Sequence, residues 1–241
     1  MGHEFELPLE AMVEATPEEV WAAISTGPGI DSWFMGRNEV ANGVVRTAFG
    51  GFDVPESTVT AAEPGRHLAH SSDKTGDGRF VAYEFLIEGR GRGSTQVRMV
   101  TSGFLPGDDW QEEFEAMSRG LEMFFATLVE YLTHFAGRVA APVTEFGPPI
   151  RDWPSAWETL NAELGGPPAP GDRVRFGPGP VEGVVYFRNS QTVGIRTGDA
   201  LYRFLQGMNG SMIAAHLPFS GGGDQGPAWR AWLAELYEER P

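Results

Sequence analysis

The chain has 241 residues, of which 41% are hydrophobic and 12% aromatic, so it can fill the core of one large domain or of a medium domain plus a smaller one. Its formal net charge of -15, from 33 acidic and 18 basic residues, would repel phosphate backbones and anionic lipid and makes nucleic acid and membrane surfaces poor partners. The absence of cysteine excludes disulfides, thiol nucleophiles and cysteine-ligated zinc, and it fits a reducing compartment such as the cytoplasm.

The first predicted elements are a strand and a capped helix. Over residues 4–15 every odd position is apolar and four of the six even positions are Glu, which is typical of a half-buried strand. The Thr16 hydroxyl can cap the amide of Glu19, and the Glu19 side chain can reach back to Thr16. Pro17 suits the first position of a helix. Together these residues predict that a helix begins directly after the strand.

Turn signals then divide the chain into short segments. Residues 27–29 (GPG) should end the first helix, and the apolar cluster in residues 30–35 indicates a second short helix or turn. Runs of alternating residues follow, which predicts an antiparallel meander with a hairpin loop at residues 89–93 (GRGRG). Its strands are predicted at residues 39–41, 44–49, 56–63, 67–72, 79–88 and 94–102.

The strongest periodic signal is that of a long helix from about Trp110 to Gly137. Asp108 can cap it, with Gln111 in the reciprocal capping-box position. Its apolar residues recur at spacings of three and four, so one face should be buried. At about 1.5 Å per residue the helix would be roughly 40 Å long, which is enough to cross a whole sheet.

The last third of the chain predicts a second, smaller α+β unit. Residues 139–150 are rich in Ala, Pro and Gly and are predicted to be a linker between a first domain (1–138) and this unit (151–241). The unit should contain a helix at 152–164, about five short strands within 173–217, and a final helix opening at Gly226. This order is a shortened echo of the first unit, so a degenerate internal repeat remains open.

Several segments of the first unit resemble the activator-of-Hsp90-ATPase-like branch of the START/Bet v1 (SRPBCC) superfamily. They are residues 15–21 (ATPEEVW), the pair Trp33 and Phe34, residues 93–104 (GSTQVRMVTSGF), and the long helix led by Trp110. The resemblance implies an α+β helix-grip fold, in which a curved antiparallel sheet grips the long helix and an apolar cavity lies between them. Members of this superfamily bind lipids or other hydrophobic ligands, act as polyketide cyclases, or are partners of the Hsp90 chaperone, so the fold does not select a function.

The sequence favours neither metal nor nucleophilic chemistry. His67 and His70 are the only close histidines, and their odd spacing would place them on opposite faces of a strand. We therefore interpret both as solvated or edge residues and expect no metal and no cofactor. A G-x-S-x-G nucleophile elbow is absent, and residues 89–93 join two strands instead of opening a helix, which argues against a phosphate loop.

The sequence favours a cytoplasmic protein that binds a small hydrophobic or aromatic ligand, with Tyr83 as the polar group that contacts it. The acidic N-terminus and the lack of an apolar run of ~20 residues predict neither a signal peptide nor a membrane span. Two alternatives stay open: a polyketide cyclase-like enzyme, and an interaction module, chaperone-linked or self-associating, with a filled cavity and an exposed apolar patch. The residues expected to line the cavity are Trp33, Phe34, Tyr83, Phe85, Phe114, Met117, Leu121 and Phe125.

Overall fold

The structure is a computed structural model, and it describes residues 2–52, 54–91, 93–207, 209–220 and 225–238. The chain divides into two compact units, Met1–Val139 and Ala140–Pro241. Each unit combines helices with one antiparallel sheet, which confirms the predicted α+β class.

The first unit contains seven strands and three helices. In chain order they are β1 (His3–Val13), α1 (Pro17–Ser25), α2 (Gly27–Ile30), β2 (Arg37–Ala41), β3 (Val44–Ala48), β4 (Ser57–Glu63), β5 (His67–Ser72), β6 (Phe80–Gly91), β7 (Ser94–Leu105) and α3 (Trp110–His134). The strand order in the sheet is β1-β7-β6-β5-β4-β3-β2, so the first strand pairs with the last and the others form a meander. The long helix α3 packs on β1 and β7, as expected for a helix-grip arrangement.

The predicted start of α1 is confirmed in detail. The Glu19 amide donates to the Thr16 hydroxyl at 3.3 Å, and the Thr16 amide donates to the Glu19 carboxylate at 2.8 Å. Because Pro17 has no N–H, three amide N–H groups at the helix start lack a partner within the helix, and two of them are thereby satisfied. Both hydrogen bonds join residues three positions apart in the chain, so the local sequence pattern was enough to predict them.

The ends of α3 differ from their prediction. Its N-cap is Asp109, not Asp108, and Asp109 makes no side-chain cap hydrogen bond because its backbone (φ -93°, ψ 8°) is not in the extended conformation that such caps use. The helix ends at His134, three residues before Gly137, whose φ of 78° is incompatible with a right-handed helix.

The loop between β6 and β7 is shorter than predicted, because the ladder continues past a bulge to the pair Gly91 and Ser94. Arg92, in the predicted loop, lies outside the described residues.

The second unit contains six strands and two helices. They are β8 (Val143–Pro149), α4 (Trp153–Glu163), β9 (Arg173–Phe176), β10 (Val181–Arg188), β11 (Thr192–Arg196), β12 (Ala200–Gln206), β13 (Ser211–Pro218) and α5 (Gly226–Tyr237). The strand order is β8-β13-β12-β11-β10-β9, so here too the first strand pairs with the last. This shared topology is compatible with an internal repeat, which stays a prediction.

Strand β8 corrects the prediction of a linker at residues 139–150. It lies at one edge of the sheet, where prolines such as Pro148 and Pro149 are tolerated because only one side of the strand is paired. Its partner β13 is more than sixty residues away in sequence, so no local pattern announces the pairing. A Pro-rich edge strand therefore has the composition of a linker.

The core of the second unit is filled with aromatic rings. Trp229 and Trp232 are only 3% and 7% exposed, and Trp153 and Trp157 pack partly buried against the same cluster. The four tryptophans that the sequence concentrates in this unit thus find cover within it, and their burial requires no partner.

Candidate functional site

A cavity of about 150 Å³ lies in the first unit, between α1, α2 and the residues after them on one side and β2 to β6 on the other. Its apolar walls include Ile24, Trp33, Phe34, Val45, Val81 and Phe85. An apolar cavity of about this volume holds a single six-membered carbon ring. The cavity is therefore of a size for one small ring rather than for a lipid.

Four of the eight predicted cavity residues line this space, namely Trp33, Phe34, Tyr83 and Phe85. The four on α3 are not among its lining residues, because α3 covers the β1 and β7 end of the sheet while the cavity lies over the other half. The shape implied by the resemblance, with the cavity between sheet and long helix, therefore differs from the one observed.

The four helix residues have other surroundings. Phe114 packs on Phe5, with 5.5 Å between the ring centroids, and Met117 is half-buried. Leu121 and Phe125 are 4% and 7% exposed and belong to the core. Phe124, not Phe125, reaches the cavity wall, where its ring lies 4.8 Å from that of Phe34.

The aromatic wall is held in place by the turn between α1 and α2. The indole Nε1 of Trp33 donates to the carbonyl of Ala23 at 3.0 Å, which ties the segment after α2 to α1. Gly29 permits this close approach, because a Cβ at this position would collide with the carbonyl of Ala22. From this platform Trp33 meets Phe85 edge to face at 6.1 Å between ring centroids. The cavity wall is thus preformed by local packing.

A row of polar side chains crosses the inner face of the sheet. His70 on β5 is paired with Tyr83 on β6, and Tyr83 is paired with Thr101 on β7. The imidazole and phenol rings are stacked, with 5.2 Å between centroids. Nδ1 of His70 and Oγ1 of Thr101 are enclosed without a hydrogen-bond partner among the described residues. Each buried polar group without a partner lowers the stability of the fold by about 1–3 kcal/mol, so a purely structural role does not account for this row.

Burial keeps both cavity members of this row neutral. It lowers the pKa of the His70 imidazole to about 4 and raises the pKa of the Tyr83 phenol to about 12, because the charged form of each group is poorly solvated there. Near neutral pH the cavity therefore presents an uncharged imidazole and an uncharged phenol.

His67 and His70 lie on opposite faces of β5, as predicted from their spacing. Nε2 of His67 contacts the Glu84 carboxylate at 2.9 Å on the outer face. The interpretation of His70 as solvated or at an edge is wrong, because its ring lies in the cavity wall. Within the described residues, no group of three or more His, Cys, Asp or Glu side chains is arranged to hold a metal ion.

An ion pair neutralises the positive charge at the cavity edge. Arg79, which lines the cavity, binds the Glu113 carboxylate of α3 through two nitrogens, one of them Nη2 at 3.1 Å from Oε2. The hydrogen bond to Glu113 raises the pKa of the Arg79 guanidinium above its ordinary value. Since this cation already has its counterion, the arrangement favours a neutral ligand over an anionic one.

The lining contains further polar side chains that were not predicted from the sequence. The Thr47 hydroxyl donates to the side-chain oxygen of Asn38 at 2.7 Å, and the Asn38 amide donates to Asp31. A signal was present, because the turn at Asn42 and Gly43 sets the register that places Asn38 opposite Thr47.

Among the described helices, none combines the length and the apolar character needed to cross a bilayer.

No known family profile matches the chain, and no curated protein matches it. Solved structures of similar fold include a protein from Mesorhizobium loti at 22% identity (53% of this chain, 96% of that chain, TM-score 0.45). The Aha1 dimer from Colwellia psychrerythraea is 18% identical (53% and 96%, TM-score 0.44). The di-domain ARO/CYC BexL from the BE-7585A biosynthetic pathway is 12% identical over 98% of this chain and 100% of that chain, with a TM-score of 0.48. At these low identities and TM-scores the likenesses carry no information about function.

Proposed function

We propose that the first unit binds a small, neutral, hydrophobic or aromatic molecule in the cavity beside Trp33 and Phe85. The preformed apolar cavity of about 150 Å³ is the observation that carries the proposal. Ligand pockets are typically concave and mostly apolar, with a few polar groups that fix orientation. His70 and Tyr83 are two polar groups of this kind in the lining.

Binding is favoured over catalysis by the acidities of these two groups. General acid–base catalysis works best when the pKa of the catalytic group lies near the working pH. With pKa values of about 4 and about 12, His70 is a weak base and Tyr83 a weak acid near neutrality. The cyclase-like alternative thus lacks a well-matched proton carrier in this pair.

The interaction-module alternative finds less support. It requires a filled cavity and a continuous apolar patch, whereas the exposed Met12 and Leu86 on the outer face of the sheet are separated by Gln96 and Arg98 of β7. The resemblance to the activator-of-Hsp90-ATPase-like branch, the assignment of ligand binding to the first of the two units, and a cytoplasmic location remain parts of the proposal.

Toluene provides a direct test. At ten times its dissociation constant it should stabilise the folded protein by about 1.4 kcal/mol. For a unit of this size that raises the melting temperature by about 5 °C. Val81→Phe places a ring in the cavity and should abolish this protection, although the added volume costs ~1–3 kcal/mol.

Val100→Phe is the matched control. It makes the same change in side-chain size at a residue on the outer face of β7, away from the cavity. Toluene should still protect this variant. Absence of toluene binding to the wild-type protein, or equal protection of both variants, would contradict the proposal.

A further inference from the structure

One nitrogen of the cavity wall finds no hydrogen-bond partner in the described part of the chain. Nδ1 of His70 is enclosed and makes no hydrogen bond with the part of the chain that the structure describes. The same imidazole stacks on Tyr83, and both side chains line the cavity. A ligand in the cavity cannot reach this enclosed atom, but the atom decides where the ring proton lies and therefore which hydrogen bond His70 offers to a ligand.

We infer that the cavity selects a single-ring aromatic molecule bearing a hydroxyl group, a phenol-type ligand, whose hydroxyl hydrogen-bonds to His70 and Tyr83. This inference rests on the proposed function and names the ligand class for that site. The ring would occupy the apolar part of the cavity between Trp33 and Val81, and the hydroxyl would lie against the polar pair on β5 and β6.

The protonation of the imidazole explains why a hydroxyl suits the site. An enclosed N–H without an acceptor is rarer in proteins than an enclosed lone pair. The neutral ring of His70 therefore keeps its proton on Nε2, which leaves Nε2 as its hydrogen-bond donor. The Tyr83 hydroxyl both donates and accepts. A ligand hydroxyl can accept from the imidazole while it donates to the phenol oxygen, whereas an ether cannot donate and a methyl group can do neither.

The charges around the cavity argue against an acid as the ligand. The guanidinium of Arg79 already binds the Glu113 carboxylate through two nitrogens. Asp73, a further lining residue, adds negative charge that would repel an anion. A neutral hydroxyl avoids this repulsion and leaves the ion pair of Arg79 intact.

Phenol and toluene, which differ only by a hydroxyl in place of a methyl group, separate the two proposals. Affinities would be measured by calorimetric titration of the full chain with each compound. His70→Leu should weaken phenol binding about tenfold and leave toluene binding within about twofold, as expected for the loss of one hydrogen bond. His67→Leu, the same change on the opposite face of β5, should alter neither affinity.

The outcomes are distinguishable. If neither compound binds the wild-type protein, the proposed function fails. If toluene binds and His70→Leu leaves the phenol affinity unchanged, the cavity function stands and the hydroxyl preference is overturned. If His70→Leu loses both compounds, Tyr83→Phe decides, because it removes a single oxygen atom: selective loss of phenol binding supports the inference, and equal effects on both compounds overturn it.

Discussion

The burial of Leu121 in the middle of α3 allows a quantitative test of how the first unit is stabilised. The side chain is 4% exposed, so Leu121→Asp removes a buried aliphatic group and introduces a carboxylate into the same space. The lost packing alone corresponds to the ~2–5 kcal/mol of a buried Leu→Ala change. Desolvation of the new charge adds several kcal/mol. Together these losses take up much of a domain's usual stability of ~5–15 kcal/mol.

Differential scanning calorimetry of the full chain measures this effect. A loss of 3 kcal/mol lowers the melting temperature of a unit of this size by about 10 °C, so the transition of the first unit should fall by at least that amount or vanish. Gln111→Asp is the control, because Gln111 is exposed on the same helix and an acidic residue is favoured in a first turn. A wild-type melting curve for Leu121→Asp would refute the placement of this helix face in the core.

Three further predictions concern the cap, the pH dependence and metal. Thr16→Ala breaks the capping box and should cost about 1 kcal/mol, measured by urea denaturation; Ser118→Ala, a mid-helix hydroxyl without a capping role, should cost less. Burial, with a smaller effect of the Arg203 charge, holds the pKa of His216 well below its usual 6.5, so the stability that this neutral ring contributes is present above pH 6.5 and is lost as the pH falls below it. From pH 6.5 to 5 the loss from this ring is at most about 2 kcal/mol, and in His216→Gln the stability should fall less steeply over this range; an unchanged pH dependence would contradict the assignment. Exhaustive chelation should leave the melting temperature unchanged, and a stoichiometric transition metal in the purified protein would overturn that expectation.

Interactions between residues near each other in sequence were accessible from the sequence alone. The capping box at Thr16 and Glu19 links positions three apart, and the burial of Leu121 follows from the spacing of apolar residues along one helix. The alternation that pairs β6 with β7 also has a local cause, because these strands are joined by a short hairpin. Such patterns fix which face of an element is buried, and the structure agrees with them.

The position of the cavity depended on how the elements pack. The periodicity of α3 shows that Met117 and Leu121 lie on its apolar face, but not which half of the sheet that face covers. That choice is made by the pairing of β1 with β7, which creates the surface on which α3 packs and leaves β2 to β6 for the cavity.

His70 and β8 show the same limit at the level of single residues. A histidine on a strand becomes a cavity group only when the stacking of its ring on Tyr83 removes it from water, and this contact joins neighbouring strands. A Pro-rich segment becomes strand β8 only when β13, far along the chain, supplies its hydrogen bonds. Sequence determines local periodicity and capping, whereas desolvation and long-range pairing arise from the tertiary structure, because they depend on residues that the chain brings together only on folding.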